Sequence, residues 1–558
     1  MTTLPHLIQQ NLYNNPEKTA IVVQHASQED ISLTNDDLAR GSCRYAHAYQ
    51  REHIQPGEVV ILILEHGADL IFSFWGAILH GATPSIMPFL TEKLSPERYR
   101  ADLTALLAVT KPSAIVTTPE FEPEVRSALH PGGSVRTVLR TDQLDNDNSL
   151  DLSKLPGLLR DPAEIALLQH SSGTTGLQKG VALSHLAVLN QLAAYCRAID
   201  LRPDDVFVSW LPLYHDMGLI AGFLMPILNA NTLVLMSPFD WVRAPYKLFQ
   251  AISKYRGTLA WMPNFAYNFC AHRTRERDME GVDITSLRIL TNCSEPVKWE
   301  SHQIFFEKFK AYGLREEVMN CSYAMAENVF GVTQTPPGTL PKVDEIDREA
   351  YISEQVVRDP IAGKSVLKMM SSGRGIGNTR IRILDPEGQV LPDRLIGEIS
   401  LQSDCMLTSY YNRPDSTSAA LRGGWYLTGD YGYCVDSEIF VTGRKKDIII
   451  VGGKNIYPQD LMDLAYEVQG VHPGRAVAFG IEDEKAGTEA VVVVAEVDID
   501  DTLERQQIED ALRKHISQNS AIALRHVYLV GPKWILKTSS GKTARLANRD
   551  KFLAEFMS

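Results

Sequence analysis

The 558-residue sequence lacks several features that mark whole classes of protein. It has no run of the ~18–20 apolar residues that a membrane-spanning helix requires, and its first ten residues, MTTLPHLIQQ, do not show the charged and then apolar pattern of a secretory signal. The seven cysteines are scattered, with no C-x-x-C pair, so neither a zinc site nor a disulfide framework is indicated. We therefore expect a protein without a transmembrane segment, located in a reducing cytoplasm.

The sequence also lacks an excess of positive charge. Lys and Arg number 55 against 68 Asp and Glu, and the net charge of -13 argues against a nucleic-acid partner. Hydrophobic residues at 44% and charged residues at 22% are ordinary for a globular protein. A chain of this length exceeds what a single hydrophobic core fills, so two or more domains are expected.

Helical and strand patterns alternate along the chain, which predicts an α/β fold with a largely parallel sheet. Apolar helices are predicted from the cap Thr34 to Tyr49, from Ala68 to Leu79 and after the cap Ser184. Short strands separated by DPEG and DSE turns predict a small antiparallel β module in the later part of the large domain. These strands are 381–384, 397–401 and 439–441.

Two changes of pattern predict the domain organisation. Residues 335–372 are rich in proline at their start, mixed in charge and weakly periodic, which indicates an insertion. The charged segment Gly443-Arg444-Lys445-Lys446-Asp447 is followed by a fresh unit of strands and one helix. We therefore predict a large N-terminal α/β domain over residues 1–445 and a smaller, mobile C-terminal α+β domain over residues 446–558.

A loop rich in glycine and hydroxyl groups lies between two apolar runs, in the stretch LLQHSSGTTGLQKGVALSH over residues 167–185. Glycines allow backbone N–H groups to face anionic oxygens, hydroxyls add donors, and a lysine adds a mobile charge. The P-loop of NTPases is a poor match, because Gln178 stands where its second glycine belongs. The composition of the loop alone fits a different phosphate-binding loop and a solvated turn equally well. The candidate phosphate ligands are Ser171, Ser172, Gly173, Thr174, Thr175, Gly176 and Lys179.

Five ordered segments resemble the adenylate-forming superfamily from about residue 160 to the C-terminus. They are SSGTTGLQKG, YAMAEN, WYLTGDYGY, VTGRKKDIIIVGGKNIYP and ILKTSSGKTAR. This superfamily includes acyl-CoA synthetases, nonribosomal peptide adenylation domains, luciferases and fatty acyl-AMP ligases. The resemblance implies that a carboxylate attacks the α-phosphate of ATP, that pyrophosphate leaves, and that an acyl-adenylate forms with the help of Mg²⁺.

The resemblance also assigns roles to single residues. Lys542 is implied to bridge the substrate carboxylate and the α-phosphate, Glu327 to bind magnesium, and Lys446 to act as the hinge. Each has an ordinary alternative when taken alone, namely an exposed glutamate or lysines in a charged linker. The remaining implied nucleotide ligands are Ser294, Glu295, Pro296, Ala324, Met325, Tyr323 at the adenine, and Asp430 and Arg444 at the ribose, with Thr175 as a second metal ligand.

Three further segments resemble fatty acyl-AMP ligases, which pass the acyl group to an acyl carrier protein. They are SWLPLYHDMGLI, RGTLAWMPNFAYNFC and NIYPQDL, in which Asp460 stands where acyl-CoA synthetases usually have Glu. The 335–372 insertion also lies where these ligases have a segment that restrains domain rotation. The hypothesis is ATP-dependent activation of a fatty acid followed by transfer to a carrier protein. An acyl-CoA synthetase and a catalytically idle adenylate-binding regulator are the alternatives, although the presence of both Lys542 and Glu327 argues against the idle one.

His215, Asp216 and Met217 are predicted to line the acyl pocket, with a packed core histidine as the alternative for His215. Because adjacent residues in a strand point to opposite faces, we do not expect His215 and Asp216 to form a dyad. Three segments depart from the family pattern: His170-Ser171 replaces the common Tyr-Thr ahead of the loop, Ala324 replaces a glycine, and NCSEP over residues 292–296 replaces a more glycine-rich version. The acyl chain length does not follow from the sequence.

Overall fold

The computed structural model describes residues 2–25, 29–88, 96–145, 150–170, 179–354, 356–451, 454–483, 488–520, 522, 524, 526–538 and 541–557. The helices are α1 (Leu4–Asn14), α2 (Asn35–Arg51), α3 (Ala68–His80), α4 (Pro96–Thr110), α5 (Glu122–Ser127), α6 (His185–Ala198), α7 (Met225–Leu228), α8 (Pro238–Arg243), α9 (Lys247–Tyr255), α10 (Asn264–Arg273), α11 (Trp299–Phe309), α12 (Arg348–Glu354), α13 (Pro414–Ala420), α14 (Pro458–Tyr466), α15 (Thr502–Asn519) and α16 (Arg545–Phe556).

The strands are β1 (Thr19–Gln24), β2 (Ile31–Thr34), β3 (Val59–Ile63), β4 (Thr83–Ile86), β5 (Ala114–Thr117), β6 (Thr137–Arg140), β7 (Ile165–His170), β8 (Gly180–Ser184), β9 (Val206–Ser209), β10 (Thr232–Met236), β11 (Leu259–Met262), β12 (Ile289–Asn292), β13 (Met319–Cys321), β14 (Thr333–Gln334), β15 (Val343–Asp347), β16 (Val366–Met370), β17 (Arg374–Gly375), β18 (Arg380–Leu384), β19 (Gly397–Gln402), β20 (Ser409–Tyr410), β21 (Leu421–Arg422), β22 (Trp425–Val435), β23 (Glu438–Arg444), β24 (Ile449–Val451), β25 (Lys454–Ile456), β26 (Ala476–Asp483), β27 (Thr488–Glu496) and β28 (His526–Val530).

Two parallel sheets form the core of the N-terminal part. One has the order β13-β12-β11-β9-β10-β1-β2, in which only the edge strand β2 is antiparallel, and the other has the order β4-β3-β5-β6. Helices α2 and α6 begin after the predicted caps Thr34 and Ser184, and α3 begins at the predicted residue Ala68. The Oγ atom of Ser184 accepts a hydrogen bond from the backbone N of Ala187. The carboxyl ends of β9, β12 and β13 share one edge of the first sheet, where open α/β folds place ligands.

An antiparallel sheet and a three-stranded sheet complete this part of the chain. The antiparallel sheet has the order β14-β17-β23-β22-β19-β18, and it contains the predicted small β module. Its register places Asp430 on β22 opposite Arg444 on β23. The three-stranded sheet has the order β20-β8-β7, so β20 adds a strand to the hairpin that flanks the predicted phosphate loop.

The C-terminal part is built on the sheet β26-β27-β28, with α14, α15 and α16 around it. Its buried apolar residues lie between Ile449 and Phe552 in clusters separate from the large cluster that runs from Leu4 to Ile439. The predicted α/β fold, with a large N-terminal domain and a smaller C-terminal one, is therefore confirmed. The boundary between residues 445 and 446 remains a prediction.

The predicted insertion has secondary structure of its own. Strands β15 and β16 pair in antiparallel register, and α12 lies between them in the chain. Ile346 and Tyr351 from this segment pack against Tyr433 and Phe440 of the antiparallel sheet. The segment is thus anchored to the N-terminal domain through an apolar cluster, which the weak periodicity of its sequence did not predict.

Two sequence expectations concern the chain as a whole. Each of the seven cysteines is a free thiol. Within the described ranges, no helix has both the length and the apolar character needed to cross a bilayer.

Candidate active site

A cavity of about 730 Å³ lies where the N-terminal sheets and the C-terminal domain meet. Its walls include Asp430 and Arg444 from the antiparallel sheet, and Lys542 from the C-terminal domain. Other predicted site residues that line it are Lys179, His215, Asp216, Ser294, Ala324, Met325, Glu327 and Lys446. Residues far apart in sequence therefore meet in one place, as the family resemblance implied.

The remaining predicted residues fall into two groups. Ser171, Ser172, Gly173, Thr174, Thr175 and Gly176 fall outside the described residues. Glu295, Pro296, Met217 and Tyr323 do not line the cavity. Glu295 accepts a hydrogen bond from the backbone N of Phe265 at 2.9 Å, and Met217 is buried at 2% exposure.

Lys542 is held by a tight turn that brings its side chain into the cavity. The backbone N of Thr538 donates to the Lys542 carbonyl at 2.7 Å, and Gly541 adopts a φ of +85°, a conformation that glycine tolerates without strain. Burial lowers the pKa of the Lys542 ammonium, while the nearby carboxylates of Glu295 and Asp216 act in the opposite direction. A substrate carboxylate or phosphate beside Lys542 would further favour its charged form.

The expectation that His215 and Asp216 point apart is wrong. Their side chains contact each other, with 2.7 Å between His215 Nδ1 and Asp216 Oδ1. Strand β9 ends at Ser209, and Asp216 begins a helical segment over Met217–Leu224, so the alternation of a strand no longer applies. Burial raises the pKa of the Asp216 carboxyl, but the charges of His215 and Lys542 outweigh burial and keep this pKa below its ordinary value.

Asp430 is oriented by two neighbours. The hydroxyl of Tyr323 donates to Asp430 Oδ2 at 2.6 Å, and Arg444 Nε lies 3.3 Å from Asp430 Oδ1. Both carboxylate oxygens thus have partners on the protein, and a ribose would add hydroxyl donors to the same oxygens. Tyr323 is 8% exposed and its hydroxyl points at Asp430, and the contact of its ring with adenine remains a prediction.

Glu327 offers a carboxylate at the cavity wall, which fits the oxygen ligands that Mg²⁺ prefers. In the described part of the chain, no group of three or more His, Cys, Asp and Glu side chains is arranged to hold a metal ion. A magnesium ion here would therefore use one carboxylate together with water and substrate phosphates, as is usual for nucleotide-dependent sites.

Lys446 lies between two anchored residues. Lys445 Nζ contacts Glu398 Oε2 of the N-terminal domain at 2.8 Å, whereas Asp447 Oδ2 contacts Arg545 Nη1 of α16 at 2.7 Å. Residues 445–447 form a single 3-10 turn, and the predicted domain boundary lies within it. A hinge at Lys446 remains a prediction, and the flanking contacts to opposite domains are compatible with it.

The two domains also touch through charged side chains that do not line the cavity. Lys298 at the start of α11 pairs with Asp463 on α14. From the insertion, Arg348 Nη2 on α12 lies 3.7 Å from Glu467 Oε1. The carboxyl of Asp460 lies at the same interface, where burial and then the charge of Asp463 raise its pKa to about 7, against the opposing charges of Lys298 and Arg348.

The raised pKa of Asp460 predicts a pH-dependent stability of this domain arrangement. Because the pKa lies above its unfolded value, the contribution of protonated Asp460 is complete below about pH 4 and is lost as pH rises through about 7. Between pH 6 and pH 8 the free energy of unfolding of the wild type should fall by about 1 kcal/mol relative to that of Asp460→Asn, which has no carboxyl to ionise at this position. Melting temperatures of both proteins at the two pH values measure this difference.

Asp510→Asn is the matched control for this prediction, because Asp510 is exposed on α15 of the same domain. Its melting temperature should change between pH 6 and pH 8 as that of the wild type does. If the melting temperatures of the wild type and Asp460→Asn changed equally between these pH values, Asp460 would not titrate in this range.

Three residues that line the cavity were missed or left without a role. Tyr410 and Tyr426 hydrogen-bond to each other at 2.8 Å, and Tyr410 also reaches Glu327. His170, noted only as a departure from the family pattern, contacts the Oγ of Ser85 through Nε2 at 2.7 Å, and burial lowers its pKa to about 4. Isolated tyrosines give no sequence signal for such a role, since most buried tyrosines belong to the core.

The cavity, with a carboxylate, a carboxylate–arginine pair and a lysine supplied by a second domain, defines a nucleotide-binding enzyme of the adenylate-forming fold. A sequence profile described as AMP-binding enzyme matches residues 8–411, and the chain belongs to this family.

Individual relatives refine this assignment. A 4-hydroxyphenylalkanoate adenylyltransferase from Mycobacterium bovis is 30% identical over 89% of this chain and 82% of its own length. A medium-chain-fatty-acid–[acyl-carrier-protein] ligase from Moorena producens is 29% identical over 99% of this chain and 95% of its own. A structure from a study of fatty acyl-adenylate ligases of E. coli and L. pneumophila matches with a TM-score of 0.90 and 27% identity, covering 100% of this chain and 99% of that one. The predicted resemblance to fatty acyl-AMP ligases is confirmed.

Proposed function

We propose that this protein activates a fatty acid with ATP to form an acyl-adenylate and then passes the acyl group to the phosphopantetheine thiol of an acyl carrier protein. The observation that supports this most is the position of Lys542, which reaches the cavity of Glu327, Asp430 and Asp216 from another domain. Similarity to a carrier-protein ligase over nearly the whole chain supports the same conclusion.

In the first half-reaction, a carboxylate oxygen of the substrate bonds to the α-phosphorus, and the bond from this phosphorus to the bridging oxygen of pyrophosphate breaks. Negative charge accumulates on the phosphoryl oxygens, so fixed cations lower the barrier. Lys542 would contact the carboxylate and the α-phosphate, and Lys179 would contact the departing phosphates. Asp430 and Arg444 would hold the ribose. When bound at Glu327, Mg²⁺ supplies further positive charge to the phosphates.

Pyrophosphate release in the presence of ATP, Mg²⁺ and a panel of fatty, aryl and amino acids tests the activation step. We expect release with medium- or long-chain fatty acids and little with amino acids. Arylalkanoic acids belong in the panel because one relative is named for a 4-hydroxyphenylalkanoate. Absence of substrate-dependent release with every acid would favour an idle adenylate-binding regulator.

The choice of acceptor follows from the domain contacts. Rotation to a thiol-accepting pose has to break the Lys298–Asp463 and Arg348–Glu467 pairs, and these pairs therefore oppose rotation. Only a ligand that binds the rotated pose more tightly can shift this equilibrium. A carrier protein has a surface with which to do so, whereas coenzyme A offers little more than its thiol arm and nucleotide. We therefore expect transfer to a holo-carrier protein and little acyl-CoA.

The contact between the insertion and the C-terminal domain provides a specific test. Arg348→Glu replaces an attraction to Glu467 by a repulsion, so acyl-CoA formation should rise by about 2–5-fold, the scale of a partly exposed ion pair. Adenylation should change less. Acyl-CoA and pyrophosphate are both measured under the same conditions.

Arg358→Glu is the control, because Arg358 lies in the same insertion but pairs with Glu354 of that insertion. It should leave acyl-CoA formation unchanged. An equal rise in both variants would mean that general disturbance of the insertion is responsible. Robust acyl-CoA synthesis by the intact protein would instead establish the acyl-CoA synthetase alternative.

A cytoplasmic location is part of the proposal, because ATP and carrier proteins are available there. Fractionation of cells that produce the protein tests it.

A further inference from the structure

Two buried tyrosines lie behind Glu327 at the cavity wall. Tyr410 is 5% exposed and Tyr426 is 4% exposed. Tyr410 Oη lies 2.7 Å from Glu327 Oε1 and 2.8 Å from Tyr426 Oη. Because a carboxylate only accepts and each phenol has one proton, Tyr410 donates to Glu327 and Tyr426 donates to Tyr410. The three groups therefore form a directed chain that ends on one carboxylate oxygen.

The ring of Tyr410 has a second neighbour in the same cavity. Lys179 Nζ lies 4.6 Å from the centroid of this ring, within the range of a cation–π contact. One side chain thus touches the lysine expected to bind phosphate and the carboxylate expected to bind a divalent cation. If the Tyr410 ring were absent, the flexible side chains of Lys179 and Glu327 could form an ion pair with each other.

The backbone around Tyr410 fixes this position. Tyr410 pairs with Val181 in the β20–β8 ladder, and Tyr411 N donates to the Gly180 carbonyl at 2.7 Å, next to Lys179. On the other side, Leu407 N donates to the Glu327 carbonyl at 2.8 Å. The short segment 407–411 therefore joins the strand that follows the phosphate loop to the segment that contains Glu327.

We propose that Tyr410, supported by Tyr426, is a positioning residue that turns Glu327 towards the divalent cation of the nucleotide complex and keeps Lys179 beside the same phosphates. A hydrogen bond to Oε1 restricts rotation of the carboxylate and leaves Oε2 for the cation. Groups that hydrogen-bond to a metal ligand in this way typically change metal affinity by about 10–100-fold when removed. The inference rests on the proposed function.

The test measures cation binding directly. Mn²⁺ replaces Mg²⁺ as a paramagnetic probe, with α,β-methylene-ATP as a nucleotide that does not react, and free Mn²⁺ is followed by electron paramagnetic resonance. Tyr410→Phe removes the hydroxyl and keeps the ring, so the Kd for Mn²⁺ should rise about 10-fold. Tyr426→Phe removes only the second donor, and the expected rise is smaller.

Tyr411→Phe is the matched control, since Tyr411 is the adjacent residue, is half-buried and does not line the cavity. It should bind Mn²⁺ as the wild type does. The affinity for nucleotide in the absence of metal distinguishes the role of the ring from that of the hydroxyl. Tyr410→Phe should keep the wild-type affinity. Tyr410→Leu should weaken nucleotide binding several-fold, because it loses the contact between the ring and Lys179.

A purely structural role of Tyr410 would lower the melting temperature and leave the Kd for Mn²⁺ unchanged. If the wild type binds Mn²⁺ with nucleotide and Tyr410→Phe binds it within twofold of the wild type, the positioning role is overturned while the proposed function stands. If the wild type shows no nucleotide-dependent Mn²⁺ binding, the metal-dependent part of the proposed function is overturned as well.

Discussion

Replacing Lys542 by alanine should lower the rate of adenylation by about 10²–10³-fold, the scale for losing one preorganised group that stabilises developing charge. Lys542 belongs to the C-terminal domain and lines the cavity together with Asp216 and Ser294. ATP binding should largely survive, because Asp430, Arg444 and Lys179 belong to the N-terminal domain. Substrate-dependent pyrophosphate release and the Kd of ATP measure the two effects separately.

The control removes a lysine from the same domain at a distance from the cavity. Lys514 is exposed on α15 and does not line the cavity, so Lys514→Ala should behave as the wild type. Pyrophosphate release by Lys542→Ala at the wild-type rate would contradict the role given to Lys542. A parallel loss of ATP affinity and rate would indicate that Lys542 contributes to nucleotide binding as a whole rather than to the reacting centre.

The sequence predicts which residues form this site better than it predicts how they are arranged in space. Lys542 and Glu327 were found because their flanking segments have a recognisable order, and the structure places both at one cavity. Tyr410 was missed because its role depends on β20 pairing with β8, a contact between residues more than 200 positions apart. Local sequence patterns do not predict a pairing between such distant strands.

The error at His215 and Asp216 has a similar origin. The apolar run before them predicts a strand, and the strand is present, but it ends six residues before His215. The side-chain alternation was extended beyond the point where the backbone leaves the sheet. The presence of a strand is easier to predict than the residue at which it ends. The contact between His215 and Asp216 forms because β9 ends before them.

The predicted insertion shows the opposite case. Its weak periodicity gave no element, yet β15, α12 and β16 form and are anchored by Ile346 and Tyr351. The apolar partners, Tyr433 and Phe440, lie about 90 residues further along the chain in the antiparallel sheet. A segment with weak periodicity can thus be ordered by a surface that only the folded domain provides.

The second large effect is expected at Lys446. Proline fixes φ near −65°, and a backbone rotation that takes φ outside this range costs about 3 kcal/mol or more, which corresponds to roughly 10²-fold in rate. Lys446 lies in a 3-10 turn, a conformation that this φ suits, so Lys446→Pro should keep the arrangement in which Lys542 reaches the cavity. Adenylation should therefore be largely spared, while acyl transfer to a holo-carrier protein falls by about 10²-fold.

Lys446→Ala serves as the control, because it removes the same side chain from the cavity wall and leaves the backbone free to rotate. It should affect transfer far less than Lys446→Pro, and the difference between the two variants measures the backbone contribution alone. The anchors on either side, Lys445 to Glu398 and Asp447 to Arg545, leave little other backbone to absorb the rotation. Equal losses of adenylation and transfer in Lys446→Pro would therefore place the hinge elsewhere in the chain.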